Sequence, residues 1–145
     1  MSLKDVIERV RNEAFASGEF QLLRREFINT AVRENDVPND PGVYLIFNGD
    51  DLECPIYIGR AGTMNRDGIW RSQGIKKRLI AKQQKMRRPR FFIEKMDERY
   101  HGGLNFHWFV THNRTAGVIP AFIEMELLRA HYDQFGCLPE LNECI

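Results

Sequence analysis

Four side chains have types and spacing suited to phosphate or metal chemistry: Tyr44, Tyr57, Arg78 and Glu124. Tyr44 closes Gly42-Val43-Tyr44, and Tyr57 opens Tyr57-Ile58-Gly59. Each string lies in an apolar run, PGVYLIFN or CPIYIGRA, that reads as a strand. The polar NGDDLE between them carries Asn48-Gly49, a hairpin signal, so two phenols are expected on paired strands. A phenol titrates near ~10 and is a poor base at neutral pH. A neighbouring cation and an arginine favour its phenolate. Arg78 offers a planar fork of donors that matches phosphate and stays charged.

Glu124 is separated from its neighbour Glu126 by helical spacing. Glu124 shares a face with Leu127, Leu128 and His131, which sets a carboxylate beside the core. An unpaired charge there is costly. A divalent cation would offset that cost, and so would His131 or a nearby arginine. Glu126 falls in line with Arg129 and Asp133, a solvated pattern. His107 and His131 are single histidines without Asp or Cys at metal-ligand spacing. Either could line a site, but such residues are more often structural.

The ordered set GVY, YIG, Gly-Ile-Lys-Lys-Arg78-Leu, Glu124 before Leu127-Leu128, and Pro139-x-x-Asn142 resembles the GIY-YIG nuclease family over about residues 41–142. The resemblance implies a metal-dependent endonuclease that hydrolyses DNA phosphodiester bonds. Tyr44 would activate the attacking water, and Tyr57 would contact the phosphate or position that water. Arg78 would face the scissile phosphate. Glu124 would hold Mg²⁺ (or Mn²⁺), and Asn142 would orient the site by hydrogen bonds. Two spacings are longer than in simple members: Arg78 follows Gly59 by 19 residues (78 − 59), and Asn142 follows Glu124 by 18 (142 − 124). They motivate the alternative of a DNA-binding module that keeps the fold without cleaving.

The formal net charge of +1 says nothing about partners, but its distribution does. Residues 76–90 hold eight of the 21 Lys and Arg residues and no acid. A local field of this kind suits a polyanion. Lys76, Lys77, Lys82, Lys85, Arg87 and Arg88, with Arg60, Arg66 and Arg71 upstream, are therefore candidate contacts to DNA. A homodimer would be one route to double-strand cleavage.

These residues need a frame to position them. At 145 residues the chain reads as one domain, with a helical extension at 1–37 packed on a core of 38–145. Ser2 with Asp5 fits a capping box, and Leu3, Val6, Ile7, Val10 and Ala14 follow at helical spacing. Ser17-Gly18 interrupts, and Phe20, Leu23, Phe27, Ile28 and Ala31 resume the period, which predicts a second helix. Another helix is expected from near Ile75, with Ile75, Leu79 and Met86 on its apolar side. Pro89 interrupts it, and a short helix over 91–99 is expected next. Residues 104–112 are apolar on both faces and read as a central strand. Pro120 and Gly136 bracket a last helix. The sum is α+β: a small antiparallel three-stranded sheet flanked by helices, with two more helices in front.

Absences narrow the field. No Asp/Glu-x-Lys, His-x-Lys or Gly-x-x-x-x-Gly-Lys occurs, which argues against the commonest restriction-nuclease core, a phospholipase-D-like nuclease and a P-loop NTPase. Three cysteines without CxxC spacing support neither a disulfide framework nor a zinc site. With no long apolar run and no signal-like N-terminus, a cytoplasmic protein with no membrane partner is expected.

Overall fold

The computed structural model describes residues 1–71, 74–83 and 86–143; for 82, 83 and 86–89 it gives the backbone alone. The elements run α1 (Leu3–Glu13), β1 (Ala16–Leu22), α2 (Ile28–Glu34), β2 (Gly42–Asn48), β3 (Tyr57–Ala61), α3 (Ile75–Leu79), β4 (Lys82–Gln83), β5 (Met86–Arg87), α4 (Arg88–Glu98), β6 (Leu104–Val110) and α5 (Pro120–Phe135). β1, β6, β2 and β3 form, in that order, an antiparallel sheet, and β4 with β5 forms a separate small ribbon. The fold is α+β.

Strand alternation divides the core in two. On one face Phe20, Tyr44, Ile46, Phe106 and Trp108 pack with residues of α2, α3 and α4, among them Val32, Leu79 and Met96. On the other, Val43, Leu45, Ile58 and Phe109 pack with Val6 and Val10 of α1 and with Ile123, Leu127 and Leu128 of α5. β2 and β6 are buried on both faces, hence their unbroken apolar runs. Each fully buried aliphatic or aromatic side chain contributes about 1.5–3 kcal/mol.

Several sequence expectations hold. The Ser2 hydroxyl accepts from the Asp5 amide while the Asp5 carboxylate accepts from the Ser2 amide, which closes the capping box on α1. The strand read from residue 104 is central, between β1 and β2. Pro120 opens α5, and Gly136 ends it in the left-handed region at φ 76°.

Three expectations need correction. The sheet has four strands rather than three. The fourth is β1, in the segment assigned to a second N-terminal helix. Phe20 and Leu22 are buried while Glu19 and Gln21 are exposed, and β1 pairs with β6 along its whole length. Gly18 lies opposite Trp108, and a Cβ there would come within 2.5 Å of the indole, so the glycine makes room for that ring. Helical spacing resumes only at α2. The third correction is α3, which stops at Leu79 instead of running on to Met86. After Ile75 and Leu79 the next positions of that stripe are Lys82 and Gln83, which offer nothing to bury. Pro89 then lies in the first turn of α4, where a missing N–H costs nothing.

Candidate functional site

β2 and β3 bring the two tyrosines together. Tyr44 lies directly opposite Gly59, and its ring centroid is 5.9 Å from that of Tyr57 at a 34° tilt. The glycine is required: a Cβ at Gly59 would sit 2.6 Å from Tyr44 Cζ and 2.7 Å from Tyr57 Cε2. A Cβ at Gly42, the glycine of the first string, would meet the carbonyl oxygen of Phe109 at 2.0 Å. Gly59 thus makes room for the two phenols, and Gly42 for the close approach of β6. Tyr44 is wholly buried, whereas Tyr57 is half-buried and reaches a surface pocket.

That pocket has a volume of about 380 Å³ and is lined by Tyr57, Arg60, Ala61, Gly62, Thr63, Arg78 and Glu124. Three elements converge on it: β3, α3 and α5. Tyr57 points to the face shared with Tyr44, and Arg60, three positions on, to the face covered by α5. The pocket therefore straddles the edge strand.

α3 holds Arg78, and its start is fixed from outside. Asn39 Oδ1 accepts from the backbone amides of Gly74 and Lys77 at 3.0 and 3.1 Å. The carbonyls of Asp40 and Pro38 accept from the amides of Ile75 and Lys76. A remote asparagine thereby does the work of an N-cap that Gly74 cannot supply from a side chain.

Glu124 reaches the pocket from the first turns of α5 with its side chain only 17% exposed. Burial raises its pKa above the usual glutamate value, and the charges of Arg60 and Arg78 act against that rise. Its carboxylate accepts a hydrogen bond from Arg60 Nη1 at 3.1 Å. Of the partners foreseen for Glu124, an arginine is present and His131 is not.

Asn142 stands behind the pocket. Its Oδ1 accepts from the Ile58 amide at 3.0 Å, and its Nδ2 donates to the Ile58 carbonyl at 2.9 Å. The amide of Leu141 donates to the Ile56 carbonyl at 2.8 Å. Residues 141–142 thus cover the open edge of β3 where Tyr57 leaves it. Asn142 positions the strand and does not line the pocket.

The two histidines lie elsewhere. His107 is opposite Leu45 in β2, one residue out of step with Trp108 and Tyr44, so it faces the other side of the sheet. There it is buried, 4.9 Å from the Phe47 ring and 3.3 Å from Glu19 Oε2. Burial lowers its pKa, an effect that Glu19 opposes and Arg11 reinforces. His131 is buried, with Nδ1 2.7 Å from the Cys137 carbonyl and Nε2 3.5 Å from the Cys54 thiol. Neither lines the pocket.

Of the basic candidates, Arg60 and Arg78 line the pocket, and Lys76 and Lys77 are exposed on α3 beside it. Arg66 is exposed in the loop after β3, and Arg71 there donates from Nε to Asn65 Oδ1 at 3.1 Å. A bridge between Met64 and Trp70 orders this loop, and the Trp70 ring packs 4.7 Å from that of His112. Lys85 lies outside the described residues, as do the side chains of Lys82, Arg87 and Arg88.

Mg²⁺ is commonly held by one or two carboxylates, with waters and substrate phosphate oxygens completing an octahedron. Glu124 is the one carboxylate among the residues lining the pocket, and it fits such a substrate-completed site. Among the described residues no three His, Cys, Asp or Glu side chains converge into a protein-built metal cage. Cys54 and Cys137 are free thiols, and no helix among the described residues is long and apolar enough to cross a membrane.

Compared with known proteins, the chain matches no family model, no curated protein and no solved structure.

Proposed function

We propose that this protein is a GIY-YIG-like endonuclease that hydrolyses DNA phosphodiester bonds in the pocket of Tyr57, Arg60, Arg78 and Glu124. The observation that carries the reading is convergence. A phenol, two guanidiniums and a partly buried carboxylate, drawn from β3, α3 and α5, line one polar pocket. They come from positions spread over nearly 70 residues of chain.

Each group has a task in this reading. Arg78 and Arg60 bind the non-bridging oxygens of the phosphate by charge-assisted hydrogen bonds and stabilise charge that develops there. Glu124 holds the divalent cation, which when bound supplies Lewis-acid stabilisation of the attacked phosphate and of the leaving oxygen. Tyr57 is the phenol at the pocket surface, so we assign the proton of the attacking water to it. The family resemblance gives that role to Tyr44, but full burial favours a packing task behind Tyr57. Lys76 and Lys77 of α3 and Arg66 and Arg71 of the loop after β3 are exposed and suit flanking phosphates, which makes affinity fall steeply with salt.

The test is a supercoiled-plasmid assay with Mg²⁺ or EDTA, comparing wild type with Glu124→Ala, Tyr57→Phe and Tyr44→Phe. Metal-dependent nicking that drops at least ~10²-fold in Glu124→Ala is expected, with Tyr57→Phe losing more than Tyr44→Phe. No cleavage with any divalent metal at low salt, while DNA is still retarded on a gel, would replace the enzyme by the non-cleaving DNA-binding module.

A further inference from the structure

We infer that Arg60 couples nucleic-acid binding to cation binding by occupying Glu124 until a phosphate draws it away. This rests on the function just proposed and adds a regulation of the same site. Three observations carry it. Arg60 Nη1 lies 3.1 Å from Glu124 Oε1, so the carboxylate expected to take the cation already has a cationic partner. The two partners differ in freedom: the Arg60 side chain is 45% exposed and that of Glu124 17%. Arg78 adds a second positive charge that acts on the same carboxylate.

A divalent cation that approaches Glu124 in the free protein therefore meets an occupied ligand and two like charges. Its affinity there is low. Arg60 stands on β3 with a long, 45% exposed side chain that reaches the same pocket. A DNA phosphate offers it a fork-matched, two-bond acceptor, whereas Glu124 accepts a single hydrogen bond from Nη1. When Arg60 turns to the phosphate, Glu124 gains room for the cation, and the cation loses its nearest like-charged competitor. Linkage then requires reciprocity: DNA raises cation affinity, and the cation raises DNA affinity by the same factor. Cleavage chemistry is thereby assembled only on substrate. If Arg60 were only a phosphate contact, its removal would weaken DNA binding and leave cation affinity in the free protein unchanged.

The experiment titrates the full chain with Mn²⁺ in the absence of DNA, by calorimetry, for wild type, Arg60→Gln and Glu124→Gln. Thermal melts verify that each variant is folded. Arg60→Gln is expected to bind Mn²⁺ at least ~5-fold more tightly than wild type, the low end of typical coupling factors. In a second arm, fluorescence anisotropy of a short duplex is followed with Ca²⁺ or EDTA. Ca²⁺ tightens wild-type binding several-fold and tightens Arg60→Gln by a smaller factor, because only the phosphate's own ligation of the cation then couples the two. Equal Mn²⁺ affinity in wild type and Arg60→Gln, with Glu124→Gln failing to bind, overturns the coupling and leaves the cation site standing. Unaltered Mn²⁺ binding by Glu124→Gln removes the cation site itself, and the proposed function with it.

Discussion

The two edges of the sheet solve one packing problem alike and differ in everything else. At one edge, Gly18 of β1 lies opposite Trp108; at the other, Gly59 of β3 lies opposite Tyr44. In both places a Cβ would strike the facing aromatic ring, at 2.5 Å and 2.6 Å. The glycine opposite an aromatic is thus an architectural device and not in itself a mark of chemistry. What sets the β3 edge apart is its company. α3 brings Arg78 and α5 brings Glu124 to it, whereas beside β1 Arg11 of α1, Glu19 and His107 of β6 line a smaller pocket of about 180 Å³ that joins no phenol and no second arginine.

The sharpest way to break this comparison is to fill both glycines. Gly59→Ala pushes the Tyr44 and Tyr57 rings off their positions and should lower plasmid cleavage by roughly 10²-fold, as expected when catalytic groups are displaced by about 1 Å. Gly18→Ala should cost stability of similar size, about 1–3 kcal/mol for overpacking, and leave cleavage near wild type when assayed well below its melting temperature. Equal loss of activity in both would mean that the β3 edge holds no special constellation.

A smaller effect is expected from the cover on β3. Asn142→Ala removes both side-chain bonds to Ile58 and should destabilise by about 1–3 kcal/mol. Amide hydrogen exchange locates the loss: protection should fall at Ile58 first and remain at residues of β6. An even loss across the sheet would deny Asn142 its local role.

The smallest effect concerns the opposite face. His107 has a pKa lowered by burial, so the folded chain resists protonation there more than the unfolded chain does. As pH falls through the ordinary histidine range near ~6.5, the unfolded state takes up the proton first and stability declines. Glu19 moderates the decline and Arg11 adds to it. Melting temperature plotted against pH from 7 to 5 should slope less for His107→Phe than for wild type, with cleavage by the two proteins alike at pH 7. A cleavage defect in His107→Phe would tie this face to the site after all.

Legibility in the sequence followed the range of the interactions concerned. The capping box at Ser2, the bracketed α5 and the central β6 are decided by local chemistry or by strong apolar pattern, and each reads directly. β1 does not, because Phe20 and Leu22 alternate over too few residues to outweigh a competing helical period. Its strand state comes from β6, far along the chain. The site was half legible. Tyr57, Arg78 and Glu124 do share a pocket, but the tie of Glu124 to Arg60 depends on which side of β3 faces α5. Strand parity carried a usable signal for the histidines: His107 is one residue from Trp108, so it cannot share the face of Tyr44.

The segment 38–41 has a consequence for how the chain can vary. It caps α3 through Asn39, Asp40 and Pro38, and it leads straight into Gly42, where the strand bearing Tyr44 begins. A Cβ at Gly74 would lie 2.1 Å from the Asn39 carbonyl oxygen, so the chain leaves and re-enters at one point. Everything between is a closed excursion whose mouth is pinned. Lengthening such an excursion costs little, because closure entropy grows only logarithmically. The long stretch from Gly59 to Arg78 therefore need not displace the arginine. Its loop can gain or lose residues as an insertion would, while the pinned mouth keeps strand and helix in register.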